Sequence, residues 1–323
     1  METKLLIKSI RTGKTFDYTR IASEVKYVTN RTSNPGKLTI TLIRNTGVEL
    51  DISVGSTVIF SVDEKTVFKG YLFIIEQGRS GEIALTAYDQ TRYLKAKASY
   101  LFEGMEAGDI IRKIAKDFQL KVGDIEKTGY QIPYMYKEEE GCFDIISYAI
   151  QLTIRHTGKI FVFFDDNGKL CLKEAKKMKV LQVIGSGSLL TDYSYKVDID
   201  QETYNQVKLV RPNKKTGRAD TYIATSPETI KKWGLLQYYE KVDENMNAAQ
   251  IKEQAITMLE YYNRALKSLH VEALGVLGIR AGSLVYMAIP EIPESFQYTL
   301  MEKVTHTFKN GEHTMSLETR ALN

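Results

Sequence analysis

The chain has 323 residues, 43% apolar and 26% charged, which fits two or three globular domains and excludes a disordered or fibrous protein. Lysine plus arginine (44) against aspartate plus glutamate (40) leaves a net charge of +4, too small for a dedicated nucleic-acid binder. No stretch reaches the ~20 apolar residues of a membrane span, the N-terminus lacks a signal-peptide core, and two cysteines make no disulfide framework.

In chain order, residues 1–97 read as strands. The segments Lys4 to Ile10, Ile21 to Thr29, Lys37 to Ile43, Thr57 to Val62, Thr66 to Glu76 and Glu82 to Tyr88 alternate or are β-branched. Turn chemistry at Asn34-Pro35-Gly36 and Arg79-Ser80-Gly81 separates them, and the spacing predicts a small antiparallel barrel or sandwich. Residues 98–191 change pattern. Ile110, Ile111, Ile114 and Phe118 share one helical face, and Phe143, Ile146, Ala149, Ile150 and Ile154 share another. Lys159 to Phe164 and Lys169 to Glu174 flank an Asn167-Gly168 hairpin signal, so this part is a small α+β domain. Residues 192–323 return to strands, clearest at Asn205 to Arg211, Asp220 to Ala224 and Leu269 to Leu274. Two helices are inserted there. One starts at Ser226-Pro227 and stops at Gly234; the other starts at Asn247 with Gln250 completing a capping box. The fold class predicted is mainly β with an α+β insert between two β-domains.

The two β-domains contain a repeat. Gly55 to Tyr71 aligns without a gap to Gly282 to Tyr298, with Gly, Ser, Val, Glu and Tyr identical among 17 positions. Val58 faces Val285 in the alternating run, Tyr71 faces Tyr298, and after three extra residues Gly81 faces Gly311. Each glycine is read as a turn position that tolerates positive φ.

The search for chemistry returns no catalytic, cofactor-binding or metal-binding set. Thr12-Gly13-Lys14-Thr15 resembles the end of a phosphate-binding loop, but Lys8 stands where the first glycine is needed. Gly185-Ser186-Gly187-Ser188 reads as a connector. The histidines His156, His270, His306 and His313 lack the i, i+4 spacing of a helical metal pair, and Cys142 and Cys171 lie too far apart for a zinc motif. His306 and His313 lie seven apart across an expected hairpin and are read as exposed. Glu138-Glu139-Glu140 lacks a marked second carboxylate for glycan hydrolysis and reads as a solvated run before a helix. The basic clusters Lys173, Lys176, Lys177, Lys179 and Arg211, Lys214, Lys215, Arg218 read as solvated turns, without the interleaved aromatics of a single-strand binder.

A collinear series of segments nevertheless resembles one family. Asp109-Ile110-Ile111, Asp117-Phe118-Gln119-Leu120-Lys121-Val122-Gly123 and Lys127-Thr128-Gly129-Tyr130-Gln131-Ile132-Pro133-Tyr134 belong to it. So do Phe143-Asp144-Ile145-Ile146, His156-Thr157-Gly158-Lys159 and Gly168-Lys169-Leu170-Cys171-Leu172. Ser226-Pro227-Glu228-Thr229-Ile230, Trp233-Gly234, Ala281-Gly282-Ser283-Leu284-Val285 and Val304-Thr305-His306-Thr307-Phe308 complete it. This order resembles the XkdQ/YqbQ family of phage-like tail proteins. The resemblance implies a non-enzymatic baseplate hub of a contractile tail or tail-like bacteriocin. It implies a homotrimer whose two tail-tube-like barrels per chain form a pseudo-sixfold ring. Implied partners are the tail tube protein, the central spike, and also the tape-measure and baseplate wedge proteins, with no cofactor, membrane insertion or specific nucleic-acid binding. Implied location is the virion or particle baseplate, after assembly in the host cytoplasm. Some larger relatives carry a cell-wall hydrolase beyond the second barrel, and the sequence ending at Asn323 leaves no room for one. Two other readings remain open: a peptidoglycan hydrolase using the Glu138 run, and a tail-tip carbohydrate or receptor binder using some of the 20 tyrosines.

Overall fold

Period-two burial organises the first hundred residues. The computed structural model describes residues 1–32, 34–44, 50–79, 81–213, 218–244 and 246–320; Ser80, Lys214 and Lys215 of the sequence reading lie outside them. The strands are β1 (Thr3–Lys8), β2 (Thr15–Asp17), β3 (Ala22–Asn30), β4 (Lys37–Ile43), β5 (Thr57–Val62), β6 (Lys65–Gln77) and β7 (Glu82–Tyr88). They pair antiparallel in the order β2-β1-β5-β6-β7-β4-β3. Leu5, Ile7, Val58, Phe60, Val62, Leu38, Ile40, Leu42 and Leu85 point to one face and are buried together, as strand alternation requires.

The next segment has its own core. It contains β8 (Lys97–Glu106), α1 (Ala107–Asp117), β9 (Val122–Ile125), β10 (Gln131–Gly141), α2 (Cys142–Thr157), β11 (Phe161–Asp165) and β12 (Leu170–Glu174). Ile110, Ile111 and Ile114 of α1 meet Ile145, Ile146 and Ala149 of α2 over Phe102, Met135, Phe161 and Leu172. Between β11 and β12, Asp166 and Lys169 exchange backbone hydrogen bonds of 2.7 and 3.1 Å. Asn167 (φ 52°) and Gly168 (φ 86°) supply the two left-handed residues such a tight turn needs. The paired strands β8 and β10 were not legible, because Glu103-Gly104 and Glu138-Glu139-Glu140 break the alternation; the glutamate run lies at the end of β10. Cys142 and Cys171 are buried free thiols.

The chain continues through β13 (Lys179–Gly185) and β14 (Leu190–Asp198). A separate compact unit of residues 195–269 follows, made of β15 (Gln206–Asn213), β16 (Arg218–Thr225), α3 (Pro227–Trp233), β17 (Gln237–Lys241) and α4 (Ala248–Tyr262). Its sheet runs β16-β15-β17, and Ile251 and Ala255 of α4 bury Val207, Leu209 and Val242. Asn247 and Gln250 form the expected capping box, whereas Ser226 at the start of α3 makes no side-chain cap bond. This region is therefore a folded unit with its own core, and the strands expected at 205–211 and 220–224 belong to it, not to the second half of the large sheet. Periodicity reports which face of a strand is buried, not which core buries it.

The remaining strands are β18 (Leu266–Leu274), β19 (Leu284–Ala288), β20 (Gln297–Lys309) and β21 (Glu312–Arg320). They order with the earlier pair as β14-β18-β21-β20-β19-β13, repeating the order β3-β4-β7-β6-β5-β1 of the first half. One difference is direction: β13 runs parallel to β19, whereas β1 runs antiparallel to β5. The two halves join through β20 and β3, which pair antiparallel from Lys303 opposite Asn30 to Lys309 opposite Glu24. Among the described residues the strand path stays open, running from β14 to β2. Phe308 of β20 also enters the first half's core, edge-on to Phe60 at 4.9 Å between ring centres.

Leu209→Ala tests whether residues 195–269 carry a packed core. Removing this fully buried side chain is expected to cost about 2–5 kcal/mol in chemical denaturation of the full chain, while a helical excursion without a core would lose much less.

Candidate functional site at the junction of the sheet halves

Each half carries the same backbone frame at the start of its central hairpin. The Gly55 N–H donates to Leu72 O (2.7 Å) and the Leu72 N–H to Ser56 O (2.9 Å); the Gly282 N–H donates to Met301 O (2.8 Å) and the Met301 N–H to Ser283 O (3.0 Å). Gly55 (φ 85°) and Gly282 (φ 90°) are both left-handed, and Val58 and Val285 are both fully buried. One residue past each frame the strand bulges, between Leu72 and Ile74 in β6 and between Met301 and Lys303 in β20. Gly81 and Gly311 then turn into the next strand with the same φ of 79°. One sequence pairing changes. Thr57 stands opposite Tyr71 and Leu284 opposite Leu300, so Leu300, not Tyr298, occupies the place of Tyr71. Two of the three extra residues sit in the longer β19–β20 connection, before Tyr298, where an ungapped alignment cannot see them, and the third lies between Met301 and Gly311.

The turn before Gly282 is the point where the first half, the second half and the α+β segment meet. Its Ala281 N–H donates to Thr29 Oγ1 on β3 (2.9 Å), and Arg280 Nη1 donates to the Asp165 carbonyl at the end of β11 (3.0 Å). The Arg280 guanidinium lies 4.0 Å from the Phe164 ring centre. A Cβ on Gly282 would stand 2.4 Å from Val162 Cγ1, so the close approach of β11 itself requires glycine here. A cleft of about 480 Å³ opens beside it, lined by Tyr27, Lys65, Phe164, Lys173, Arg280 and His306 among others.

Below the turn lie two buried carboxylates. Asp89 accepts from the Gly36 N–H (2.9 Å), the Thr91 N–H (2.9 Å) and the Thr91 hydroxyl. Asp165 accepts from Gln90 Nε2 (2.9 Å) and the Gly168 N–H (2.7 Å), while Gln90 also exchanges hydrogen bonds with the Lys121 backbone. Burial pushes both acids above the usual carboxylate range, and the nearby Asp89 charge raises Asp165 further. Their oxygens are occupied by backbone and side-chain donors, which makes them a knot between the first sheet and the α+β segment.

The histidines behave otherwise than the sequence reading had it. His306 is 3% exposed; its Nε2 lies 2.7 Å from Ile279 O and its Nδ1 lies 2.9 Å from His313 Nε2. Carbonyl acceptance makes Nε2 the protonated nitrogen of His306, so its Nδ1 accepts from His313 Nε2–H. Two histidines across a hairpin are more often exposed, but here His306 is buried and His313 half-buried against it. Burial holds both imidazoles below their usual range, His313 at about 4, and Arg280 adds to the effect at His306. Arg280, Asp89 and Asp165 were missed because a buried charge has no local sequence signature.

Other candidates resolve simply. Thr12 Oγ1 donates to Asp51 Oδ2 (2.6 Å) and Arg11 pairs with Asp51 (2.9 Å), so the phosphate-loop-like stretch is a latched turn between β1 and β2. Ser316 Oγ (3.3 Å) and Glu272 Oε1 (2.8 Å) both meet His270 at Nε2, whereas a Ser-His-acid relay needs the two ring nitrogens separately. Glu140 pairs with Lys137 (3.1 Å), and the Glu139 N–H donates to Ser99. Lys177 pairs with Glu126 (3.0 Å) and Arg211 with Asp220 (2.6 Å), so both basic clusters are partly neutralised. Among the described residues no three His, Cys, Asp or Glu side chains are grouped to hold a metal ion.

A mainly β fold whose sheet repeats its strand order, with an α+β segment pinned to the seam, defines the class of protein. The chain belongs to the YQBQ-like family, whose profile matches residues 25–320. It is 31% identical to YqbQ of Bacillus subtilis (strain 168) over 306 residues, covering 92% of this chain and 91% of that one. It is 29% identical to the phage-like element PBSX protein XkdQ of the same organism, covering 92% of each. Its fold is similar to the crystal structure of the 43 kDa tail protein of prophage MuSo2 from Shewanella oneidensis, with a TM-score of 0.71 at 12% identity and 98% coverage of both chains.

Two outcomes follow from this geometry. Gly311→Ala meets nothing within 4 Å and is expected to cost only the left-handed penalty of about 1–2 kcal/mol, whereas Gly282→Ala adds the clash with Val162 and costs more in the same denaturation assay. The histidine pair also sets a pH dependence. Between about 6.5 and about 4 the unfolded chain binds protons that the folded imidazoles refuse, so their contribution to stability is present above that window and is lost as pH falls through it. Asp165 acts with the opposite sign, since a raised carboxylate favours the folded state at acid pH and loses that advantage as pH rises. His313→Gln is expected to lose less stability than the parent between pH 7 and pH 5 in urea titrations.

Proposed function

We propose that this protein is a non-enzymatic structural component of a phage tail or tail-like particle, and within it the baseplate hub. The observation that carries the reading is the repeated strand order, β3-β4-β7-β6-β5-β1 and β14-β18-β21-β20-β19-β13, joined edge to edge through β3 and β20. Two equivalent parts side by side in one chain let three chains offer six similar surfaces, since a closed ring needs repeated, compatible contacts. The positions Gly55, Val58 and Gly81 serve the same purpose in the first tube-like part, residues 1–97, as Gly282, Val285 and Gly311 in the second, which begins with β13 and β14 instead of at residue 192 and is interrupted by the unit 195–269.

In this reading the homotrimer presents a pseudo-sixfold ring to the hexameric tail tube on one side and to the trimeric central spike on the other. The channel accommodates DNA or the tape-measure protein, wedge proteins surround the hub, and assembly takes place in the host cytoplasm. Membership of the YQBQ-like family and the fold shared with a prophage tail protein support it. The donors that close on Asp89 and Asp165, and the Ile279 carbonyl that closes on His306, favour a structural role for this junction over a hydrolytic one.

Light scattering on the purified full-length chain checks the central claim. The expected mass is three times that of the chain, and the trimer is expected to co-sediment with its tail tube protein. A strict monomer that binds neither tube nor spike protein would sink the reading.

A further inference from the structure

The seam inside the chain predicts the seam between chains. On the β5 side of β6, pairing stops at Tyr71; on the corresponding side of β20, pairing with β19 stops at Leu300. Beyond that point the two strands match residue by residue, because each has one bulged residue, Phe73 or Glu302. Ile74, Ile75, Glu76 and Gln77 of β6 therefore correspond to Lys303, Val304, Thr305 and His306 of β20. In β20 this stretch is taken up by β3. In β6 no strand pairs with it on that side among the described residues.

The complementary edge is bare as well. The equivalent of β3 in the second half is β14, by its place next to β18 as β3 lies next to β4. Strand β3 has neighbours on both sides, and Val25, Tyr27 and Thr29 are buried. Strand β14 pairs with β18 alone among the described residues, and none of Leu190 to Ser194 is buried. Unpaired backbone donors and acceptors along a strand are a template for another strand, and proteins that leave such an edge bare generally use it.

We infer that the β6 edge at Ile74–Gln77 pairs antiparallel with the β14 edge at Leu190–Ser194 of a second copy of this chain. This contact reproduces between copies the β20–β3 contact made within each copy. It rests on the trimeric reading above and deepens it by naming the surfaces. Each chain then offers one edge of each kind, so the contact is head-to-tail and closes only as a ring. In a ring of three chains, contacts within chains alternate with contacts between them.

Disulfide trapping tests the pairing, because directly opposed strand residues lie within the Cα separation a disulfide accepts. Glu76→Cys is combined in turn with Thr191→Cys, Asp192→Cys, Tyr193→Cys and Ser194→Cys in the full chain, whose two native thiols are buried. Lys26→Cys with Thr307→Cys, which stand opposite each other across the internal seam, is the positive control. The expected result is a trimer by light scattering in which at least one combination gives covalent dimers and trimers on oxidation, all reversed by reductant. A trimer that shows no such ladder while the control pair forms its intrachain bond overturns the strand pairing and leaves the trimer standing. A monomer at every concentration tested overturns both.

Discussion

The structure depends on the backbone of β20. A strand of 13 residues buried in a sheet must satisfy its N–H and C=O groups on both sides along its whole length. It does so with three partners: β19 beside its first part, β3 beside its last part, and β21 along the other edge. The bulge at Glu302 falls at the change of partner and gives the local bend that lets one strand serve two neighbours. Because the same strand delivers Phe308 to Phe60, the seam is closed by side-chain packing as well as by the ladder. Neither half of the large sheet is therefore independent of the other.

Polar burial reinforces that seam. Arg280, Thr29, His306 and the carboxylates Asp89 and Asp165 come from segments far apart in the chain, and each engages a group on another segment. Such groups add little net stability, but leaving one unpaired in a low-dielectric interior is costly, so they discriminate against misplaced registers. Gly282 completes this logic. Its left-handed backbone and missing Cβ let Val162 approach, and the α+β segment docks against the turn instead of beside it.

The same features account for the empty catalytic search. A site for chemistry needs polar groups left partly unsatisfied and aimed at a cavity. Here the histidine pair is closed by Ile279 O, the acid pair is closed by backbone donors, and the glutamate run pairs locally. Among the described residues, the β6 edge at Ile74–Gln77 and the β14 edge at Leu190–Ser194 have no strand partner. Such edges are where β proteins take up further strands.

The sequence by itself determined the elements whose signal is local. Alternation placed β4, β5 and β7 at their observed ends, the Asn167-Gly168 pair marked its hairpin, and Asn247 with Gln250 marked the start of α4. It also carried enough collinear segments to point to the family. Only the tertiary structure decided the rest. Strands β8 and β10 escaped notice because charged, exposed residues interrupt their alternation, and residues 195–269 escaped because periodicity does not name the core it faces. Leu300 replaced Tyr298 opposite Leu284 because backbone hydrogen bonds, not residue identity, fix a register. The burial of His306 beside His313 follows from β3 lying against β20, a pairing between residues nearly the whole chain apart. Local chemistry fixes where a strand forms; which strand it meets is settled by packing between segments that no window of sequence contains.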